Sequence, residues 1–109
     1  MELNDYQSRA RATAIYPNLG SNFLYPALGL CGESGEVAEK VKKVLRDEGG
    51  VISEEKKREI AKEIGDILWY ASQLAAELGF TLSEIAEINL NKLASRAERG
   101  VLTGNGDNR

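Results

Sequence analysis

The sequence predicts an all-α protein that folds as an antiparallel, oligomeric four-helix bundle, and two observations indicate this class. Four stretches repeat apolar residues at helical spacing, and each is bordered by residues that suit helix ends. No stretch alternates apolar and polar residues as a half-buried strand does. Because the connections between the stretches are short, we expect consecutive helices to pack side by side and antiparallel.

The first two helices have recognisable ends. The first is predicted from about Asn4 to Tyr16, because apolar residues recur every four positions and Pro17 follows. The second is predicted from about Pro26 to Glu48. Pro26 suits the first turn of a helix, and the Gly49-Gly50 pair ends the segment.

The third and fourth helices begin at capping residues. Ser53 is the expected N-cap of the third helix, and Gly79 is its expected stop. The fourth helix opens with the capping box Thr81-Leu82-Ser83-Glu84. Its predicted buried side consists of Leu82, Ile85, Ala86, Ile88 and Leu93.

The apolar stripe of the third helix is wider than a bundle of this size needs. It consists of Ile60, Ile64, Ile67, Leu68, Ala71, Leu74, Ala75 and Leu78. Small helical domains often complete their core against another copy of the chain, so the surplus predicts a homo-oligomer.

A chain of 109 residues suits one domain. We place a helical domain at residues 1–99 and a flexible tail at residues 100–109, because GVLTGNGDNR has little apolar material with which to fold. A net charge of −3 argues against nucleic acid as a partner. Cys31 is the only cysteine and no apolar run is long enough to span a membrane, so we expect a cytoplasmic protein.

The absence of histidine excludes the usual zinc sites and histidine acid–base catalysis. Carboxylates remain as candidate ligands, and two pairs have the same spacing. Glu33 and Glu36 lie one turn apart on the second helix, as Glu63 and Asp66 do on the third. Four carboxylates that converge would repel each other unless a hard cation such as Mg²⁺ bound between them. The two pairs therefore predict a magnesium site.

Two alternatives use the same carboxylates. Glutamates spaced three apart are common on solvated helix faces, and spacing alone leaves that interpretation open. A di-iron bundle also has inward-facing glutamates, but its Glu-x-x-His motifs need the histidine that this chain lacks.

Basic residues are placed where a triphosphate would need them. Lys40 shares the face of Glu33 and Glu36, and Asn89, Lys92 and Arg96 share one face of the fourth helix. Two plainer interpretations stay open at this stage. Lys40 would form an ion pair with Glu36, and the face of the fourth helix would simply be solvated.

Three segments together resemble the MazG-like all-α nucleoside triphosphate pyrophosphohydrolases. They are GLCGESGEVAEKVKK, EIGDILWY and NLNKLASR, and the resemblance extends from about Leu28 to Arg96. The first acidic motif of the family is often written E-E-x-x-E, and Gly32 stands where its first glutamate would be. The positions that correspond to the four metal ligands are kept.

The resemblance implies Mg²⁺-dependent hydrolysis of a nucleoside triphosphate to the monophosphate and pyrophosphate, with Mn²⁺ as a substitute metal. It also implies that Asn89, Lys92 and Arg96 contact the nucleotide and that the protein is a homodimer or homotetramer. Glu36 is our candidate for the residue that activates water. We expect Asp107 and Arg109 to join the site only when nucleotide is bound, with a disordered tail as the alternative. A non-catalytic helical module that binds nucleotides or a protein partner is the alternative function.

Overall fold

The structure is a computed structural model that describes all residues, 1–109, and it contains four helices and no strand. The helices are α1 (Leu3–Arg11), α2 (Leu24–Asp47), α3 (Glu54–Glu77) and α4 (Leu82–Glu98). The all-helical class is therefore confirmed. None of the helices has the length and apolar character that crossing a membrane requires.

The predicted starts of α3 and α4 and the predicted end of α3 are confirmed. The Ser53 hydroxyl accepts a hydrogen bond from the backbone N–H of Lys56 at 3.1 Å and caps α3. At the start of α4, the Thr81 hydroxyl accepts from the Glu84 N–H at 3.1 Å, and the Glu84 carboxylate accepts from the Thr81 N–H at 3.0 Å. Gly79, with φ of 83°, supplies the left-handed residue that ends α3.

The first helix ends at Arg11, so the prediction that it continues to Tyr16 is wrong. Long-range hydrogen bonds to α3 provide the physical reason. Arg11 donates to the Glu77 carboxylate at 2.7 Å, and the Tyr16 hydroxyl donates to the same carboxylate at 3.0 Å. A helix that continued through Tyr16 would carry that hydroxyl away from Glu77.

Glu77 fixes the whole connection between α1 and α2. Its carboxylate also accepts the backbone N–H groups of Gly20 and Asn22, at 2.9 and 2.6 Å, and its side chain is only 1% exposed. Burial raises the pKa of Glu77, but the hydrogen bonds from Asn22, Arg11, Tyr16 and Gly20 outweigh burial and lower its pKa to about 2.

A second buried polar group joins α1 to the turn between α3 and α4. The Gln7 amide donates to the carbonyl oxygens of Ser72 and Phe80, both at 3.1 Å, and accepts the N–H of Leu82 at 2.9 Å. The bonds to Phe80 and Leu82 satisfy backbone groups beside the start of α4, where the helix leaves donors free. They fix the first turn of α4 against α1.

Helices α2 and α3 form an antiparallel pair, since contacts that move forward along α2 move backward along α3. Gly29 contacts Tyr70, and Lys40 lies 3.8 Å from Glu63. A Cβ atom at Gly29 would overlap the Tyr70 ring, so glycine allows the two helices to approach closely there.

The predicted four-helix bundle is not confirmed in the single chain, because no part of α4 packs against α2. Of the predicted buried side of α4, Leu82 is buried, whereas Ile85, Ile88 and Leu93 are exposed. On α3, Ile64 and Leu68 of the apolar stripe are also exposed. The fourth helix is therefore an arm that is anchored at its N-terminal end.

The chain is more extended than a compact monomer of its size. Its radius of gyration is 16.7 Å, whereas about 13 Å is typical of 109 residues. Its accessible surface is 7637 Å², and a monomer of 11.9 kDa normally exposes about 6,000 Å². One chain thus leaves part of its core uncovered.

Candidate metal and phosphate sites

Three of the four predicted metal ligands meet between α2 and α3. Carboxylate oxygens of Glu33, Glu63 and Asp66 lie within 4.8 Å of one another. Glu33 and Glu63 are partly buried, whereas Asp66 is exposed, so the group opens to solvent on one side. We call these three residues the acidic site.

The electrostatics of the acidic site match carboxylates without enough countercharge. A hydrogen bond with Glu63 raises the pKa of Glu33, and burial and the charges of Asp66, Glu63 and Glu36 raise it further. Burial and neighbouring negative charge therefore disfavour the charged form of Glu33. A divalent cation would relieve that repulsion.

The fourth predicted ligand, Glu36, lies outside this close group. It follows Glu33 by one turn of α2 and is exposed, and its charge reaches Glu33. Its assignments as a metal ligand and as the residue that activates water both stay predictions.

Lys40 faces the acidic site across the helix pair. Its ammonium nitrogen lies 3.8 Å from a carboxylate oxygen of Glu63, and it forms no ion pair with Glu36. The alternative of an ion pair within α2 is therefore not what the structure contains. Lys40 carries positive charge to the rim of the acidic site.

Aromatic side chains border the acidic site on its α1 side. Trp69, one turn after Asp66, lines a shallow pocket of about 390 Å³ together with Tyr6, Arg9 and other residues of α1. Burial raises the pKa of Tyr6, and the charge of Asp66 raises it further, which places Tyr6 beside the carboxylates. The pocket could be identified only from the structure, although the spacing between Asp66 and Trp69 is visible in the sequence.

The predicted substrate-binding residues of α4 form a separate group. Asn89 is exposed on α4. The Lys92 ammonium lies 3.3 Å from the Asp107 carboxylate, and the Arg96 guanidinium lies 3.3 Å from the same oxygen. We call Lys92 and Arg96, with their shared Asp107, the basic site. Within one chain no ion pair or hydrogen bond joins the basic site to the acidic site, and α4 does not pack against α2.

Residues 100–109 fold back on α4, held by arginine–carbonyl hydrogen bonds. The Arg109 guanidinium donates to the carbonyl oxygens of Val101, Leu102 and Gly106, at 3.1, 2.9 and 2.6 Å. Arg99 donates to the carbonyl oxygen of Arg109 at 2.7 Å. Asp107 therefore contacts Lys92 and Arg96, and the guanidinium of Arg109 bonds within the segment itself. That bound nucleotide brings these two residues into the site stays a prediction. We call this segment the 100–109 loop.

A profile of the MazG nucleotide pyrophosphohydrolase domain matches residues 24–101 of the chain. The chain belongs to this family. The MazG match includes α2, α3 and α4, and thus every residue of the acidic site. Lys92 and Arg96 lie within the match, whereas Asp107 lies beyond its end.

One relative has similar length and an uninformative name. The "Gene 37 protein" of Mycobacterium phage L5 is 48% identical over 114 aligned residues, which cover 100% of both chains. No solved structure matches the chain. The comparisons therefore establish membership of the MazG family, and the acidic site is the feature on which a specific function can be argued.

Proposed function

We propose that this protein is a Mg²⁺-dependent nucleoside triphosphate pyrophosphohydrolase, which hydrolyses a ribo- or deoxyribonucleoside triphosphate to the monophosphate and pyrophosphate. The observation that carries the proposal is the acidic site, in which three carboxylates converge from two helices of a MazG domain. The exposed side of this site and the cation of Lys40 at its rim suit a phosphate chain.

The donor set of the acidic site fits magnesium. Every ligand is a carboxylate oxygen, the donor type that Mg²⁺ prefers, and the raised pKa of Glu33 reports the repulsion that such an ion would remove. Glu33, Glu63 and Asp66 would hold the ion, with Glu36 joining them or remaining free. Mn²⁺ prefers the same oxygen ligands and is expected to substitute.

The roles of the chain's own residues follow from their positions. Bound magnesium supplies positive charge that polarises a phosphate oxygen. Lys40 lies at the rim of the acidic site, 3.8 Å from Glu63, and its ammonium group would stabilise negative charge on the phosphates of a bound substrate. Glu36 is exposed and outside the close group, so its carboxylate is free to accept a proton from the attacking water.

We also propose that the active protein is a homodimer or homotetramer. The chain exposes about 1,600 Å² more surface than a compact monomer. A protomer of an obligate dimer buries roughly 1,000–2,500 Å² in its interface, so a second copy accounts for the surplus. Light scattering at micromolar concentration should give two or four times 11.9 kDa, and a monomer mass would contradict the assignment.

The function is tested by incubating the protein with a panel of ribo- and deoxyribonucleoside triphosphates and Mg²⁺, followed by identification of both products. We expect monophosphate and pyrophosphate in equal amounts, with loss of turnover when EDTA removes the metal and recovery with Mn²⁺. Binding of nucleotides without product would favour the non-catalytic alternative. Release of diphosphate and inorganic phosphate would contradict cleavage at the proposed bond.

A further inference from the structure

The Asp107 carboxylate stands where an anionic ligand of the basic site would stand. One of its oxygens is 3.3 Å from the Lys92 ammonium and 3.3 Å from the Arg96 guanidinium. These ion pairs lower the pKa of Asp107 from its ordinary value, so the group is charged at neutral pH. Two cations that converge on one oxyanion form the same kind of site that binds phosphate.

Arg96 is unusual among the cations of the chain because it is buried. Its side chain is 5% exposed, and its guanidinium donates to the carbonyl oxygen of Asp107 at 2.7 Å. Its Nε atom is buried and has no hydrogen-bond partner. A guanidinium presents five donors, so the site has unused capacity for an anion with several oxygens. With the 100–109 loop in place, a ligand from solvent cannot reach those donors.

The contacts between the 100–109 loop and α4 allow the loop to detach from the basic site. Almost all of its residues are exposed, and it is held by polar contacts to α4 rather than by an apolar anchor. Gly104 and Gly106 have φ values of 135° and 82°, which shape a turn without burying a side chain. Asp107 is 83% exposed, and exposed ion pairs contribute little free energy each. A ligand with more negative charge than one carboxylate can therefore displace it.

We propose that the 100–109 loop is a strap that fills the basic site with the Asp107 carboxylate, and that a polyphosphate group displaces it. The inference rests on the proposed function insofar as the natural ligand would be the triphosphate of the substrate. No covalent bond changes in the exchange. Lys92 and Arg96 release the Asp107 carboxylate oxygen, and Arg96 also releases its carbonyl partners in the loop. The phosphate oxygens take their place and use the unpaired Arg96 donor as well.

The strap predicts the direction in which anion affinity changes when the charge of Asp107 is removed. A loop that helped to hold the ligand would give the opposite direction. If Asp107 competes with the ligand, removal of its charge strengthens anion binding. If the loop instead helped to hold the ligand, the same change would weaken binding.

The test is calorimetric binding of inorganic tripolyphosphate to the full chain in EDTA, so that no metal and no turnover are involved. We expect Asp107→Asn to bind about fivefold more tightly than the unaltered chain, which corresponds to loss of one to two exposed ion pairs. Asp47→Asn is the matched control, since Asp47 is an exposed aspartate paired with Arg46 on α2. It removes the same charge and should leave the affinity unchanged.

A second pair of variants shows where the gain originates. A chain that ends at Gly100 removes the carbonyl partners of Arg96 as well as Asp107, and should bind tripolyphosphate at least as tightly as Asp107→Asn. In a Lys92→Gln background, the gain from Asp107→Asn should shrink to less than twofold, because the two residues act on one site.

The strap is overturned if Asp107→Asn or the shortened chain binds tripolyphosphate with unchanged or weaker affinity. The outcome is independent of catalysis. A chain that proved not to hydrolyse nucleotides would still show tighter binding in the variants if the strap exists. An active enzyme with unchanged tripolyphosphate affinity would refute the strap and leave the proposed function intact.

Discussion

The acidic site and the basic site each bring like charges close together, but they differ in how those charges are balanced. In the acidic site, carboxylates from two helices converge and the pKa of Glu33 is raised, and the cation of Lys40 lies 3.8 Å from Glu63. In the basic site, Lys92 and Arg96 are already paired with Asp107 from the chain itself. The first site has unsatisfied charge, and the second is satisfied by a replaceable group.

The difference indicates which event each site favours. Binding of a cation to the acidic site would relieve the repulsion between its carboxylates. The repulsion that favours metal binding therefore lowers the stability of the metal-free chain. Binding of an anion to the basic site exchanges one set of ion pairs for another, so its net gain is smaller. The predictions below test this contrast, from the largest expected effect to the smallest.

The largest effect is expected from loss of a carboxylate in the acidic site. Glu63→Gln or Asp66→Asn should reduce turnover about 1,000-fold or more, because the charge stabilisation that magnesium supplies amounts to several kcal/mol. Without metal, the melting temperature of either variant should equal or exceed that of the unaltered chain. Steady-state kinetics and EDTA-treated melts measure both. Glu39→Gln serves as the control, because Glu39 is a half-buried glutamate of α2 that pairs with Lys42 and Lys43. Near-normal activity in either variant would refute the metal assignment.

Glu77 serves as a reference for the acidic site, because it is a carboxylate whose hydrogen-bond partners are all supplied by the chain. Its folded pKa of about 2 lies below the ordinary value of 4.5, so its contribution is complete above pH 4.5 and is lost as pH falls toward 2. The shift corresponds to about 3 kcal/mol. Urea unfolding should show that Glu77→Gln lowers the free energy of unfolding by about this amount at pH 7 and flattens its decline at acid pH. An equally steep acid decline in the variant would contradict the role of Glu77.

Lys92 tests whether the basic site serves the reaction of the acidic one. Lys92→Ala should raise KM for the nucleotide about tenfold, since one charge-assisted hydrogen bond to phosphate is lost. The Mn²⁺ affinity of the chain should not change, because the basic site is separate from the carboxylates. Kinetics together with a manganese titration followed by electron paramagnetic resonance distinguish the two. Lys42→Ala, on the exposed side of α2, serves as the control.

The smallest effect concerns the helix pair that holds the acidic site. Gly29→Ala should destabilise the chain by about 1 kcal/mol, because its methyl group would overlap the Tyr70 ring, which is only partly buried and has to shift. At Gly35, a Cβ atom would meet nothing within 4 Å, so Gly35→Ala should be neutral or stabilising by up to about 1 kcal/mol. Thermal melts of the two variants measure the difference. Equal stabilities would show that Tyr70 moves aside without cost.

The sequence predicted the parts of the fold that local signals encode. Ser53 and the Thr81–Glu84 box mark helix starts because a cap bonds backbone groups within three residues. The predicted end of α1 was wrong because Arg11 and Tyr16 form hydrogen bonds with Glu77, more than 60 positions away in the sequence. A local sequence pattern contains no information about so distant a partner. The buried Gln7, which joins α1 to α4, was missed for the same reason.

In the candidate sites, too, local sequence patterns predicted part of the arrangement and long-range packing decided the rest. Helical spacing predicted which carboxylates share a face, and three of them meet. That Glu36 lies outside the close group depends on how α2 and α3 pack, which spacing does not contain. The 100–109 loop was expected to be flexible because it lacks apolar residues, and that flexibility stays a prediction. The arginine–carbonyl hydrogen bonds within it depend on how the chain turns, which its composition does not reveal.

Trp69 gives the protein an optical reporter of its own. It is the only tryptophan in the chain, so indole fluorescence arises from one place in each protomer. Its ring nitrogen donates to the Thr13 hydroxyl at 2.9 Å, and its ring meets Tyr70 edge to face with centroids 5.0 Å apart. Asp66 lies one turn before it on α3. Emission from the unlabelled protein therefore comes from a residue one turn from the carboxylate cluster, where binding of the proposed ion or nucleotide would change the local field and solvent contact.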